Sequence, residues 1–133
     1  MKKKVFLGGT CNESTWRDEI ISKLTNVDYF NPVVKDWTPE CQEEEIRQRE
    51  NCDYCLYVIT PKMTGVYSIA EAIDDSNKRP EKTIFCFTEK DGDNEFQPFQ
   101  VKSLKQVGKM VNANGGKFIN DLDGVAEYLN NYV

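Results

Sequence analysis

Two short segments of this chain run through their length without polar alternation: Cys55-Leu56-Tyr57-Val58-Ile59 and Thr83-Ile84-Phe85-Cys86-Phe87. A strand with one solvated face alternates apolar and polar residues. A strand that does not alternate is covered on both faces, as in the middle of a parallel sheet. The segments between and around these two read as helices. Such a sheet is therefore expected to carry helices on both sides.

The remaining elements follow from punctuation and period. Val5-Phe6-Leu7 is a short strand running into Gly8-Gly9-Thr10, and residues 12 to 15 supply cap-type side chains. A helix follows, with Trp16, Ile20, Ile21 and Leu24 at helical spacing. Tyr29-Phe30 and Val33-Val34 flank Asn31-Pro32, a second strand broken into a loop at its end. Thr38-Pro39 predicts a helix start, with Thr38 as N-cap and Pro39 at the first helical position. The helix from Glu40 to about Glu50 is mostly polar. The third strand spans Asp53–Ile59, and a loop over Thr60–Gly65 leads to a third helix from Ser68 to about Asn77.

After the Thr83–Phe87 strand comes a charged turn, Glu89–Asn94. Val101, Leu104, Val107 and Val111 mark a fourth helix, with Ser103 and Gln106 matching an inner capping box. Lys117-Phe118-Ile119 is a fifth strand. Asp121 caps a last helix that buries Leu122, Val125, Leu129 and Tyr132. Five β-α units in succession, with no repeat or linker, predict one domain over residues 1–133. The expected fold is a doubly wound α/β protein: a five-stranded parallel sheet of flavodoxin-like order 2-1-3-4-5 with helices on both faces. Its switch point lies between strands one and three, at the loops Gly8–Cys11 and Thr60–Tyr67.

Composition narrows the chemistry. The net charge is −5 over 133 residues, which argues against a nucleic-acid or membrane-surface binder, since both need a basic face. No apolar run reaches the roughly 18 residues of a membrane helix, and no signal-peptide pattern precedes the first strand. A cytoplasmic protein is expected. Five cysteines, an odd number in mostly apolar surroundings, fit reduced thiols. The pair Cys52-x-x-Cys55 lacks the second pair or the histidines of a metal site. With no histidine in the chain, Ser-His-Asp, Cys-His and His-metal chemistry are excluded. Acid–base and nucleophilic work falls to carboxylates, Tyr, Lys or Cys.

Candidate site residues gather near the switch point. Gly8-Gly9-Thr10 allows close backbone approach to a ligand or serves as a tight turn; it is neither GxGxxG nor a P-loop. Asn31, Asp36 and Trp37 follow strand two, and Trp16 opens the first helix. Aromatic and short polar groups there suit a flat heterocycle or ordinary packing. The acidic run Glu43-Glu44-Glu45, with Glu40 and Glu50, is a metal-binding cluster or a solvated face, and one of its carboxylates is a candidate to project over the site. Glu71 also has two readings. Ser68-x-x-Glu71 matches the capping-box pattern, which spacing alone favours, and a carboxylate at that helix start is also a candidate nucleophile.

The segments KVFLGGT, YFNP, EEEIRQRENCDYCLYVIT and GVYSIAEA, in this order and over roughly residues 4 to 87, resemble the nucleoside 2-deoxyribosyltransferases, and in particular their short phage and bacterial branch. The resemblance implies Glu71 as a nucleophile that attacks the anomeric carbon of a 2′-deoxynucleoside. It would form a covalent deoxyribosyl-enzyme, from which a free nucleobase or water takes the sugar. The general acid falls at Glu45, or at the neighbouring Glu44. Gly65 stands where typical members have an aspartate, and Phe6 or Leu7 where they have a tyrosine. Tyr67 and Ser68 then take over contacts to Glu71 and to the sugar. Gly8, Gly9, Thr10, Trp16, Asn31, Asp36, Trp37, Gly65 and Ser68 would line the substrate pocket. No metal or cofactor is implied. The partners implied are a small deoxynucleoside or nucleotide, a free nucleobase and further copies of the chain. Hydrolysis of deoxynucleoside 5′-monophosphates, or ligand sensing without turnover, are the alternatives.

Overall fold

The computed structural model describes residues 2–11 and 13–131, so the cap-type residue at 12 and the last-helix residue at 132 lie outside it. The chain runs β1 (Lys3–Gly9), α1 (Trp16–Lys23), β2 (Val27–Phe30), α2 (Pro39–Asn51), β3 (Tyr54–Ile59), α3 (Tyr67–Lys78), β4 (Thr83–Phe87), β5 (Lys90–Asp91), β6 (Asn94–Glu95), α4 (Pro98–Ala113), β7 (Lys117–Phe118) and α5 (Leu122–Asn131). A 3-10 turn, Pro80–Lys82, joins α3 to β4. The five-stranded sheet has the order β2-β1-β3-β4-β7, and all its pairings are parallel. Since β7 is the fifth strand of this sheet, the flavodoxin-like order expected from the sequence is the one observed.

Strand pleating sorts the side chains into two cores. Val5, Leu7, Tyr54, Leu56, Val58, Ile84 and Cys86 face α1 and α5, meeting Trp16, Ile20, Leu122, Val125 and Leu129. On the other face Phe6, Cys55, Tyr57, Ile59, Phe85 and Phe87 meet Ala72 of α3 and Leu104 and Val111 of α4. Every residue of β3 and β4 is buried, as runs without alternation require. The polar α2 has no fully buried residue.

Local starts and stops follow the sequence in part. Thr38 caps α2 by accepting the Cys41 N–H at 3.3 Å, with Pro39 behind it. Asp121 accepts the Gly124 N–H at 2.7 Å at the start of α5. The capping box of α4 is formed by Gln97 and Gln100, not by Ser103 and Gln106. Pro98 sets the helix start a full turn earlier, and Ser103 lies inside it, donating its hydroxyl to the Phe99 carbonyl at 3.1 Å. Strand β2 stops at Phe30, because Asn31 accepts the Val33 N–H at 3.0 Å in an Asx turn and Pro32 follows; Val33 and Val34 are exposed loop. The charged turn is a small antiparallel hairpin, β5 against β6, with Gly92 at φ +61.

Gly9 ends β1 at φ +124, where a Cβ would lie 2.0 Å from the Val58 carbonyl oxygen. Backbone strain and a backbone clash then act together. Gly9→Ala is expected to lose about 3 kcal/mol or more in urea unfolding, or to leave the chain unfolded, as a substitution breaking both constraints would.

Candidate active site

The carboxyl ends of β1 and β3 open between the loops after them. The β1 loop is held from below. Arg17, stacked 4.4 Å from the Trp16 ring, donates to the carbonyls of Leu7 (3.0 Å), Thr10 (2.7 Å) and Gly9 (3.2 Å). The Trp16 indole donates to the Thr10 carbonyl at 2.8 Å. Thr10 Oγ1 accepts the Thr60 N–H at 2.9 Å, which ties the two loops together. Gly8 is packed against the Tyr57 ring, where a Cβ would approach to 2.6 Å. Gly8 and the buried Trp16 therefore build the loop, and neither lines the cavities beside it.

Two depressions adjoin at this edge. The smaller, about 130 Å³, is lined by Gly9, Thr10, Cys11, Ile59, Met63, Thr64, Gly65, Tyr67 and Ser68. A second, about 320 Å³, lies between α2 and α3 and is lined by Trp37, Gln42, Glu45, Ile46, Arg49, Tyr67 and Glu71. Tyr67, the first residue of α3, borders both. Sequence-predicted Gly9, Thr10, Gly65 and Ser68 thus fall in one depression, and Trp37, Glu45 and Glu71 in the other. Asn31 and Asp36 lie in the exposed loop between β2 and α2, and neither borders either depression. Glu44 turns to Arg47 and accepts the Gln48 amide at 2.9 Å.

Glu71 is not part of a capping box. Helix α3 begins at Tyr67 with Val66 as its N-cap, and no side chain caps it. Ser68 is already helical, and Glu71, the fifth residue, lies past the first turn. The helix end therefore gives it little of the stabilisation expected for a carboxylate in the first turn. Its side chain is 11 % exposed, and its carboxylate lies 3.3 Å from Arg49 Nη1.

Burial pushes the Glu71 carboxyl up to about 7, an effect that Arg49 opposes and that Glu45, Asp75 and Asp74 reinforce. The remaining nitrogens of Arg49 are occupied. Nε and Nη2 grip Asp75 at 3.2 and 2.9 Å, and Nη2 also meets Asp74 at 3.3 Å. Asp75, whose side chain is 0 % exposed, further accepts the Tyr57 hydroxyl and a donor from Arg79. Glu45 Oε2 lies 3.5 Å from the Trp37 indole nitrogen.

Arg49 was not foreseen as a site residue, although it lies within the RQREN stretch. One signal was present: Arg49 is four residues after Glu45, so the two share a helix face, and Glu71 and Asp75 have the same spacing on α3. Cys52 and Cys55 are separate buried free thiols, Cys55 lying 3.2 Å from the Arg49 carbonyl oxygen and raised to about 12 by burial. A further cavity, about 650 Å³, lies away from this edge among Phe87, Phe118, Lys105, Lys109, Asp121 and neighbours. Among the described residues, no helix is long and apolar enough to cross a membrane.

A parallel α/β sheet with a half-buried glutamate over its switch point, facing a second carboxylate across a cleft, defines a small carboxylate-based α/β protein. The chain belongs to the nucleoside 2-deoxyribosyltransferase-like family, whose sequence model matches residues 2–90. Membership supports a general glycosyl-transfer function of the nucleoside deoxyribosyltransferase kind, with small-molecule nucleosides as partners. No curated protein and no solved structure matches the chain.

Folding raises the Glu71 pKa from about 4.5 in the free side chain to about 7, so folding favours its protonated form. That contribution is complete below about pH 4.5 and is lost as the pH rises through 7. Glu71→Gln is therefore expected to be more stable than the parent chain by about 1–2 kcal/mol at pH 8.5. The two proteins should converge at pH 5, as measured by urea titration at both pH values.

Proposed function

We propose that the protein cleaves or exchanges the N-glycosidic bond of 2′-deoxynucleosides, through a covalent deoxyribosyl intermediate on Glu71. The observation that carries this reading is the pairing of Glu71 and Glu45 across one cleft, with Trp37 at its mouth. A carboxylate on one side of the sugar and a proton donor near the base are what an oxocarbenium-like transition state requires. A Glu71 oxygen bonds to C1′ as the C1′–N bond breaks. The electron pair leaves with the base nitrogen, which takes a proton from Glu45. In the second half an acceptor base attacks C1′, its proton returns to Glu45, and the Glu71 carboxylate departs.

Trp37 and Ile46, which line the mouth and are 59 % and 46 % exposed, offer apolar surface for the base. The smaller depression, with Thr10, Ser68 and Tyr67, is the size of a sugar rather than of a whole nucleoside. Arg49 is the one cation lining the larger cleft, and three carboxylates share it. A 5′-phosphate finds no free positive charge there, so we infer a neutral nucleoside in preference to a monophosphate. We also infer a homo-oligomer, because Trp37 and Tyr67 leave large aromatic surface exposed at the mouth. Sedimentation equilibrium should return at least a dimer mass; a monomer at all concentrations would refute the assembly.

Incubation with a panel of deoxynucleosides plus a second free base, followed by chromatography, tests the activity. The expected result is a new deoxynucleoside, and mass spectrometry of enzyme quenched without acceptor should show a deoxyribosyl adduct on Glu71. Glu71→Gln should abolish transfer, and Glu45→Gln should slow it by about 10²–10⁴-fold, the range for loss of a general acid. Because the nucleophile must be ionised, kcat/KM should climb with pH as Glu71 loses its proton, up to about 7, and fall again where Glu45 is no longer protonated. No free base and no exchange across the panel would overturn the reading.

A further inference from the structure

We propose that Arg49 is the positioning residue for the Glu71 carboxylate, and that Asp75 in turn fixes Arg49. The role rests on the reading of Glu71 as nucleophile, but the contact it describes does not. The guanidinium is a planar fork with its donors in set directions. With Nε and Nη2 both on Asp75, the plane cannot turn, and Nη1 is held beside Glu71 Oε2 as an ion pair, 3.3 Å away. Asp75 is itself immobile: its side chain is 0 % exposed, and it accepts from Tyr57 in the sheet and from Arg79. A chain of contacts thus runs from the buried centre of β3 to one oxygen of the candidate nucleophile.

Other sources of orientation are weak. The N-terminus of α3 has no capping side chain, and Glu71 lies beyond its first turn. Strand β1 offers no donor from Phe6, which is 1 % exposed and stacked on Phe30. The charged groups facing Glu71 are Arg49 and Glu45 from α2 and Asp74 and Asp75 from its own helix. Among these four, Arg49 alone is positive. Taking it away leaves Glu71 among three carboxylates, without the counter-charge that is fixed beside it.

The experiment separates the two contributions. Arg49→Gln removes the charge, while Arg49→Lys keeps a charge but cannot hold Asp75 along two edges and reach Glu71 at once. The Glu71 carboxyl is titrated by ¹³C NMR in each folded protein, and kcat and KM are measured over pH. In Arg49→Gln, the Glu71 midpoint and the acid limb of kcat/KM should rise together by about one pH unit or more. In Arg49→Lys, the midpoint should move much less, while kcat falls about 100-fold or more with little change in KM, as expected for lost orientation.

A folded Arg49→Gln protein with an unmoved Glu71 midpoint would overturn the proposal, as would Arg49→Lys with full kcat. If either single variant fails to fold, the pair Arg49→Gln with Asp75→Asn removes the buried charge together with its partner, and a smaller rise in midpoint is expected, because the Asp75 charge that pushes Glu71 upward is lost as well. Should Glu71→Gln remain active, the nucleophile reading falls. The NMR titration then still decides whether Arg49 holds this carboxylate.

Discussion

Asp75 is the residue around which the site is organised. A carboxylate with no solvent exposure is tolerable in a protein interior only when its acceptor positions are filled. Here they are filled from three directions: the Tyr57 hydroxyl from the sheet, two Arg49 nitrogens from α2, and Arg79 from the end of its own helix. Burial alone would favour a neutral Arg49, but Asp75, with Glu71, outweighs it and raises the guanidinium above its usual range. Breaking any one of these contacts leaves buried charge behind. For that reason the cluster acts as a unit rather than as separate ion pairs.

The cluster also bears on the proposed chemistry. A glutamate that is to attack carbon has to be ionised, yet a cleft dry enough to favour the proposed cleavage penalises its charge. Glu71 stands between these demands. Burial and three neighbouring carboxylates drive its pKa up, and one arginine restrains the rise, leaving the group near 7. At that value the ionised form remains accessible at neutral pH, and the carboxylate keeps more basicity than a fully solvated one.

The parts of the fold set by apolar patterning were legible in the sequence. The unalternating β3 and β4, the paired faces of the sheet and the helical spacing of α4 and α5 follow from which side chains must leave water. Thr38-Pro39 and Asp121 worked because capping is a local hydrogen bond. What escaped was set by tertiary contact. Arg49 is unremarkable in a polar helix; its role comes from residues 22 to 26 positions further on, in another helix. Gly8 and Trp16 looked like ligand groups because small and aromatic residues near a switch point often are. Here Gly8 makes room for the Tyr57 ring, and Trp16 braces the Thr10 carbonyl. Ser68-x-x-Glu71 matched a capping pattern, but Tyr67 was able to start the helix one residue earlier. The small β5–β6 hairpin carries too few residues for any period to register.

Helix α2 forms one wall of the cleft and has no fully buried residue; its most buried side chain is the charged Arg49. Lifting it away from α3 would uncover little new apolar surface. Such an opening has almost no denaturant dependence and almost no heat-capacity change, since both scale with the area exposed. What holds the wall is charge: lifting it breaks the Arg49 contacts to Asp75. Apolar area governs the sheet, whereas ionic strength and the protonation of a few carboxylates govern the wall. A solution that leaves the fold untouched can still change how widely the cleft stands open.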